Sequence, residues 1–194
     1  MSQGYQILNQ SAIHYLTFQV VDWVDIFTRQ VYRDILLDSF RYSQKEKGLW
    51  LYAYVVMSNH VHLIAASKEG KLSDLVRDIK KFTAAKILKA IETEPESRRD
   101  WLLKRFEFAA RSKSNMKTLQ FWTHENHAVE IFTDKFFFQK VDYIHLNPVR
   151  AGIVAKPEDY LYSSASNFID KGGLIAIEYY GPRFIDGSKQ TTYL

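Results

Sequence analysis

Two histidines separated by a single residue, His60 and His62, are the first residues whose type and spacing could do chemistry. On an extended strand, side chains at i and i+2 point to one face, so the two imidazoles stand side by side while Val61, Leu63 and Ala65 face the other way. Such a pair can hold a divalent cation and leave positions open for a substrate oxygen. The plainer alternative is two surface histidines on a half-exposed strand, and His-x-His alone does not choose between them. With 0 cysteines in the chain, disulfides, thiolate metal sites and thiol nucleophiles are excluded together. A metal would therefore rest on His, carboxylate, amide or water ligands.

A second group is the phenol of Tyr143. The chain holds 12 tyrosines, most of which must be structural, and residue type alone does not single this one out. Its position is more informative. Phe137, Val141 and Ile144 recur at helical spacing as an apolar stripe, and Tyr143 lies off that stripe with Gln139 and Asn147 one turn to either side and Lys140 nearby. The alternative is a tyrosine that flanks the core with a wet hydroxyl. His145 points about 200° away from Tyr143 at 100° per residue, which predicts a structural or hydrogen-bonding role. His124 and His127 show no spacing that compels a ligand role.

The elements that must position these groups follow from periodicity. Ile13 to Val20 alternates, with Leu16, Phe18 and Val20 on one face, and predicts a strand. Val31 to Glu46 predicts a helix with Val31, Ile35, Leu36 and Phe40 inward, closed by Gly48. Leu49 to Met57 is apolar on both faces, as in an interior strand. Ser58 and Asn59 break it before a second strand, His60 to Ala66, and strands so close in sequence form a hairpin. After Gly70, Lys71 to Ile91 carries a helical stripe at Leu72, Leu75, Val76, Ile79 and Phe82, with Arg77, Lys80 and Lys81 opposite it. The charge-dense stretch from Glu92 to Lys117 predicts part helix and part basic connection. His127 to Phe132 alternates as a short strand. Thr133 is the expected N-cap of a last helix with Asp134 in its first turn, ending near Asn147 because Pro148 disfavours helical backbone before it. The order β-α-β-β-α-β plus an extra helix predicts an α+β, ferredoxin-like split βαβ fold, an antiparallel sheet with helices on one face. Residues 1–168 are expected to form one domain and 169–194 an irregular C-terminal tail.

Composition bounds the function without choosing it. A 46% hydrophobic chain of 194 residues can build a real core. The N-terminus lacks the blocks of a signal peptide, and no apolar stretch nears the roughly 20 residues of a membrane span, so a cytoplasmic, nucleoid-associated protein without a membrane partner is expected. The +4 net charge is compatible with a polyanionic partner.

The run Val55-Val56-Met57-Ser58-Asn59-His60-Val61-His62-Leu63-Ile64, followed by Tyr143-Ile144-His145-Leu146-Asn147-Pro148-Val149-Arg150-Ala151-Gly152-Ile153-Val154, resembles the REP-associated tyrosine transposases. These are relatives of the single-tyrosine HUH transposases of bacterial insertion sequences. Pro157-Glu158-Asp159-Tyr160 with Ser163-Ser164-Ala165 resembles the segment trailing the tyrosine helix in this group. The similarity runs from about Tyr15 to Phe168 and is weakest from Lys104 to Glu125. It implies that His60 and His62 bind metal and that Tyr143 is the nucleophile. Asn147 stands where many relatives place a Gln as third metal ligand, and its shorter amide would ligate directly or through a water. Ser58 replaces a frequent Pro, with an effect expected only on the hairpin bend.

What the resemblance implies is a metal-dependent strand transferase acting on single-stranded or hairpin DNA through a 5′-phosphotyrosine. Mg²⁺ or Mn²⁺ is expected, since phosphate and water oxygens would complete the shell. No Walker-type loop is present, in keeping with a reaction that needs no nucleotide. Arg98, Arg99, Lys104, Arg105, Arg111, Lys113 and Arg150 are the expected DNA contacts, with a solvated face, or for Arg150 a helix cap, as the alternative. Monomer and homodimer both fit. Two other functions remain open from sequence: a metal-dependent phosphodiesterase using activated water, and a catalytically silent hairpin-binding module.

Overall fold

The hairpin at the centre of the molecule joins β2 (Leu49–Val56) to β3 (His60–Ser67) through Met57, Ser58 and Asn59. A computed structural model describes residues 6–111 and 119–181. The other elements are β1 (His14–Gln19), α1 (Gln30–Glu46), α2 (Leu72–Thr93), α3 (Arg99–Arg111), β4 (Val129–Glu130) and α4 (Asp134–Arg150). The sheet order is β2-β3-β1-β4 with every neighbouring pair antiparallel. This is the α+β, split βαβ arrangement expected: β3 inserts between β1 and β2, which α1 connects.

Strand alternation sorts the side chains into two layers. Leu16, Phe18, Val61, Leu63 and Ala65 face α1, α2 and α3, and pack with Leu36, Phe40, Ile79, Ile87 and Phe106 in the larger core. Tyr15, Val55, Ile64 and Ala66 face the other way and pack with Phe137, Val141 and Ile144 of α4. Thus α1 and α2 share one face, while the extra helix α4 covers the opposite one, the face that β3 gives to His60 and His62.

Several local expectations need correction. Pro148 does not end the last helix at Asn147; α4 runs to Arg150 with Pro148 buried inside it. The proline sits in the final turn, and the helix end is closed beyond it by Ala151 N–H to Asn147 O and Ile153 N–H to Pro148 O. Phe82 is 49% exposed rather than part of the α2 stripe. Thr83 takes the inward place, donating to Ile79 O at 2.7 Å and accepting from Trp122 Nε1 at 3.1 Å. Lys80 is not on a solvated face: its Nζ donates to Thr123 O (2.7 Å) and Asn126 Oδ1 (2.6 Å). In α1 the inward residues are Tyr32, Leu36, Leu37 and Phe40, with Val31 and Ile35 only partly buried. The fourth strand is shorter than expected, Val129–Glu130, and His127, with φ +40°, lies outside it at its entry. Thr133 caps α4 as expected, accepting from Phe136 N–H at 3.2 Å.

Residues 170–181 form no helix or strand, yet they lie on the body. Ile175 is buried in the larger core, Glu178 N–H donates to Leu51 O, and the Tyr180 ring stacks on Phe137 at 3.6 Å.

Candidate active site

The register of the sheet assembles the site. Thr17 pairs with His62 and Gln19 with His60 across β1 and β3, while His62 faces Val55 on β2. The two imidazoles sit 4.6 Å apart between ring centroids. The Tyr143 ring approaches His62 edge-on at 5.3 Å from α4 and is 38% exposed. Helix and sheet therefore bring together the histidine pair and the tyrosine, as the sequence motifs required.

Each imidazole is oriented through its Nδ1. His60 Nδ1 lies 2.7 Å from Asn59 Oδ1. A carbonyl oxygen can only accept, so this nitrogen carries the proton and Nε2 keeps its lone pair. His62 Nδ1 lies 2.7 Å from the Tyr15 hydroxyl and 2.8 Å from Thr17 Oγ1. Either hydroxyl can accept the Nδ1 proton, which again bares Nε2. Burial lowers the pKa of both rings, and that of His62 falls to about 3 with help from the charges of His60, Lys140 and His127. Neutral imidazoles with free Nε2 atoms are the form that binds a metal. The donor set thus fits a divalent cation with open positions, although no group of three or more His, Asp or Glu gathers among the described residues.

Tyr15 and Thr17 were missed in the sequence reading. The available signal was the alternation that puts both on the polar face of β1, opposite Leu16 and Phe18. Burial holds the Tyr15 pKa well above that of a free phenol, opposed in part by the bond from Thr17. Tyr15 therefore stays protonated, with its hydroxyl on His62 and its ring beside Tyr143. Its ring stacks on His62 at 5.5 Å and meets Tyr143 at 6.1 Å.

Cations flank the phenol. Lys140 Nζ lies 5.7 Å from the centre of the Tyr143 ring and 4.6 Å from that of Tyr15, and the Arg150 guanidinium is 5.7 Å from Tyr143. Arg150 thus stands beside the tyrosine. Asn147 turns its Nδ2 back to Tyr143 O at 3.2 Å. His145 points away, as expected, and bonds through Nε2 to Ser164 Oγ at 2.9 Å. Ser58 does more than shape a bend: its hydroxyl donates to Asp25 Oδ1 at 2.9 Å, a bond proline could not make.

The other basic residues divide. Arg99 donates to Ile91 O and Glu94 O, closing α2, and Arg98 donates to Asp25 O and pairs with Glu96. Both are engaged in holding segments together. Lys104 and Arg105 are exposed on α3, with Arg105 over the Trp101 ring, while Arg111 pairs with Glu107. Lys113 lies outside the described residues.

An antiparallel sheet that carries two convergent imidazoles, crossed by a helix with an exposed phenol, has the parts of a tyrosine-dependent nucleic-acid strand-cleaving enzyme. The sequence profile of the family described as "Transposase IS200 like" matches residues 12–126, and the chain belongs to that family. The resemblance read from the motifs is borne out at this level, and with it an HUH-type, DNA-cleaving transposase. Among solved structures, a REP-associated tyrosine transposase bound to a REP hairpin superposes with a TM-score of 0.62 at 20% identity, covering 99% of this chain and 100% of that one. A protein assigned as a transposase in Deinococcus radiodurans gives a TM-score of 0.43 at 19% identity, covering 74% and 95%. No curated protein matches the chain. No helix among the described residues is long and apolar enough to cross a membrane.

Proposed function

We propose that this transposase cuts and rejoins single-stranded DNA at hairpin or repeated palindromic sequences, with Tyr143 as nucleophile and a 5′-phosphotyrosine as intermediate. The observation that carries this reading is the exposed Tyr143 ring lying edge-on to His62 at 5.3 Å, above a sheet face on which the Tyr15 and Thr17 hydroxyls orient His62. The fold shared with a transposase bound to a REP hairpin supports hairpin DNA as the partner, and with it a place in the REP-associated branch.

In this reading the Tyr143 hydroxyl attacks the scissile phosphorus. The bond from phosphorus to the 3′-oxygen of the preceding nucleotide breaks, the phenol proton is lost, and a 3′-hydroxyl is freed. Because the phosphodiester is exchanged and not hydrolysed, a second 3′-hydroxyl can reverse the step on another strand without a nucleotide cofactor. His60 and His62 would hold Mg²⁺ or Mn²⁺ through Nε2, and Asn147, one helical turn after Tyr143, would complete the set directly or through water. When bound, the cation supplies charge neutralisation at the scissile phosphate. Lys140 and Arg150 hold the phosphate beside the phenol, and Tyr15 fixes both His62 and Tyr143. Lys104, Arg105 and Arg111, with Lys113, would follow the DNA backbone. The 1–168 segment holds the residues of this activity, and 169–181 pack on the same body through Ile175 and Tyr180.

The test is to incubate the protein with hairpin DNA bearing single-stranded flanks and Mn²⁺, then denature it. A covalent protein–DNA adduct is expected, and Tyr143→Phe should abolish it while binding persists. Cleavage that survives in Tyr143→Phe would instead assign a phosphodiesterase, and binding without any adduct in the parent a silent DNA-binding module.

A further inference from the structure

We infer that Trp23 is a base-stacking platform for the nucleotide on the 5′ side of the scissile phosphate, so that it positions and selects the DNA strand at the cut. The inference rests on the reading that Tyr143 attacks DNA. Trp23 is 60% exposed, a large apolar surface left in water. Its ring meets His60 edge-on at 6.2 Å. His60 in turn contacts His62, and His62 contacts Tyr143. The histidine pair therefore has Tyr143 against one member and Trp23 against the other.

The backbone beneath Trp23 adds a separate observation. Asp22 and Trp23 both have φ +53°, a conformation that costs an ordinary L-residue energy and persists only where surrounding structure enforces it. Here it is enforced. Val21 N–H donates to Phe121 O, Val20 N–H to Asn59 O, and Phe27 N–H to Ser58 O. Asn59 Nδ2 donates to Trp23 O while Asn59 Oδ1 orients His60. On either side, Val20, Val21, Val24 and Ile26 are buried. A bulky aromatic residue is thus held out into solvent, in a strained conformation, by the same asparagine that sets the neighbouring imidazole. Folding gains little from the indole itself, most of which stays out of the core.

Stacking chemistry gives it a use. An exposed indole accepts the face of any unpaired base. In-line displacement places the leaving 3′-oxygen on the far side of phosphorus from the attacking phenol. With Tyr143 against His62, the far side lies toward His60 and Trp23, so the nucleotide that retains the 3′-hydroxyl is the one whose base reaches the indole.

The experiment uses the full chain in a Tyr143→Phe background with chelator present, so that neither cleavage nor metal binding enters. Binding is measured to a DNA hairpin with single-stranded flanks, in which an abasic nucleotide is walked along the flank. Trp23→Ala should weaken binding to the intact strand roughly 10-fold, and Trp23→Phe by much less. The Trp23→Ala effect should vanish when one flank nucleotide, and only that one, is abasic. In the Tyr143-containing protein that nucleotide should prove to be the one that ends in the new 3′-hydroxyl. Trp23→Gly, which relieves the positive φ, should melt at or above the parent's temperature while binding DNA as poorly as Trp23→Ala. Binding of Trp23→Ala within twofold of the parent, or an effect shared equally by all abasic positions, would overturn the proposal. If the abasic coupling is found but the parent forms no covalent adduct, the platform stands and the phosphotyrosine reading fails.

Discussion

The two hydroxyls on His62 Nδ1 allow a quantitative test of how the site is organised. Tyr15→Phe removes the contact at 2.7 Å and leaves the ring, so its stacking on His62 at 5.5 Å and its place beneath Lys140 are kept. Thr17→Val removes the contact at 2.8 Å with nearly the same side-chain volume. Groups that orient a metal-binding imidazole are worth about 10- to 100-fold in metal affinity, or roughly 1.4–2.7 kcal/mol. Because the two hydroxyls share one nitrogen, either single variant leaves a partner in place and should lose only about threefold or less. The double variant leaves Nδ1 without either hydroxyl in a buried setting and should lose about 100-fold, more than the two single losses combined. The assay is calorimetric titration of Mn²⁺ into the full chain, with circular dichroism to verify folding. Stability should change little in the single variants, by about 1 kcal/mol or less. A double variant with parental Mn²⁺ affinity would refute the orienting role, and a parent that shows no saturable Mn²⁺ binding would refute the metal site itself.

Further consequences concern the cations and the buried titratable groups. Lys140→Gln and Arg150→Gln should each slow adduct formation by about 10²-fold, as expected for a lost charge-stabilising donor, while hairpin affinity measured in a filter assay falls far less. Burial lowers the Lys80 pKa to about 8, below its unfolded value, so its charging penalty is complete below pH 8. Denaturant unfolding should therefore show stability rising with pH from about 8 toward 10, by up to roughly 2–3 kcal/mol, and Lys80→Met should flatten that rise. His145 is held neutral by burial, with its pKa down to about 4. Stability should thus fall as pH drops from about 6.5 toward 4, and His145→Gln should lose part of that slope.

The chemistry was legible in the sequence where one element carried all of its signal. The alternation in β3 gave the shared face of His60 and His62, and the stripe on α4 gave the outward position of Tyr143. What could not be read depended on pairing between distant segments. Tyr15 reaches His62 only because Thr17 and His62 are register partners, and no local pattern states a register. Lys80 follows a helical polar face in sequence, but the 119–128 segment folds over it and supplies its acceptors. Arg98 and Arg99 look like free charge in a basic run and become carbonyl clamps once α2 ends beside them. Pro148 misled because the bias it puts on the residue before it is a preference and not a prohibition, and here Asn147 stays helical with Pro148 buried in the last turn. Trp23 was hidden since an exposed aromatic and a core aromatic are the same letter.

In this mechanism one phenol, Tyr143, carries the DNA, while a second phenol, Tyr15, touches the same imidazole. The covalent complex formed with hairpin DNA and Mn²⁺ can be digested with nuclease and protease and its peptides sequenced by mass spectrometry. A phosphonucleotide on Tyr143 is the expected result; a phosphonucleotide on Tyr15 or on any other residue would contradict it.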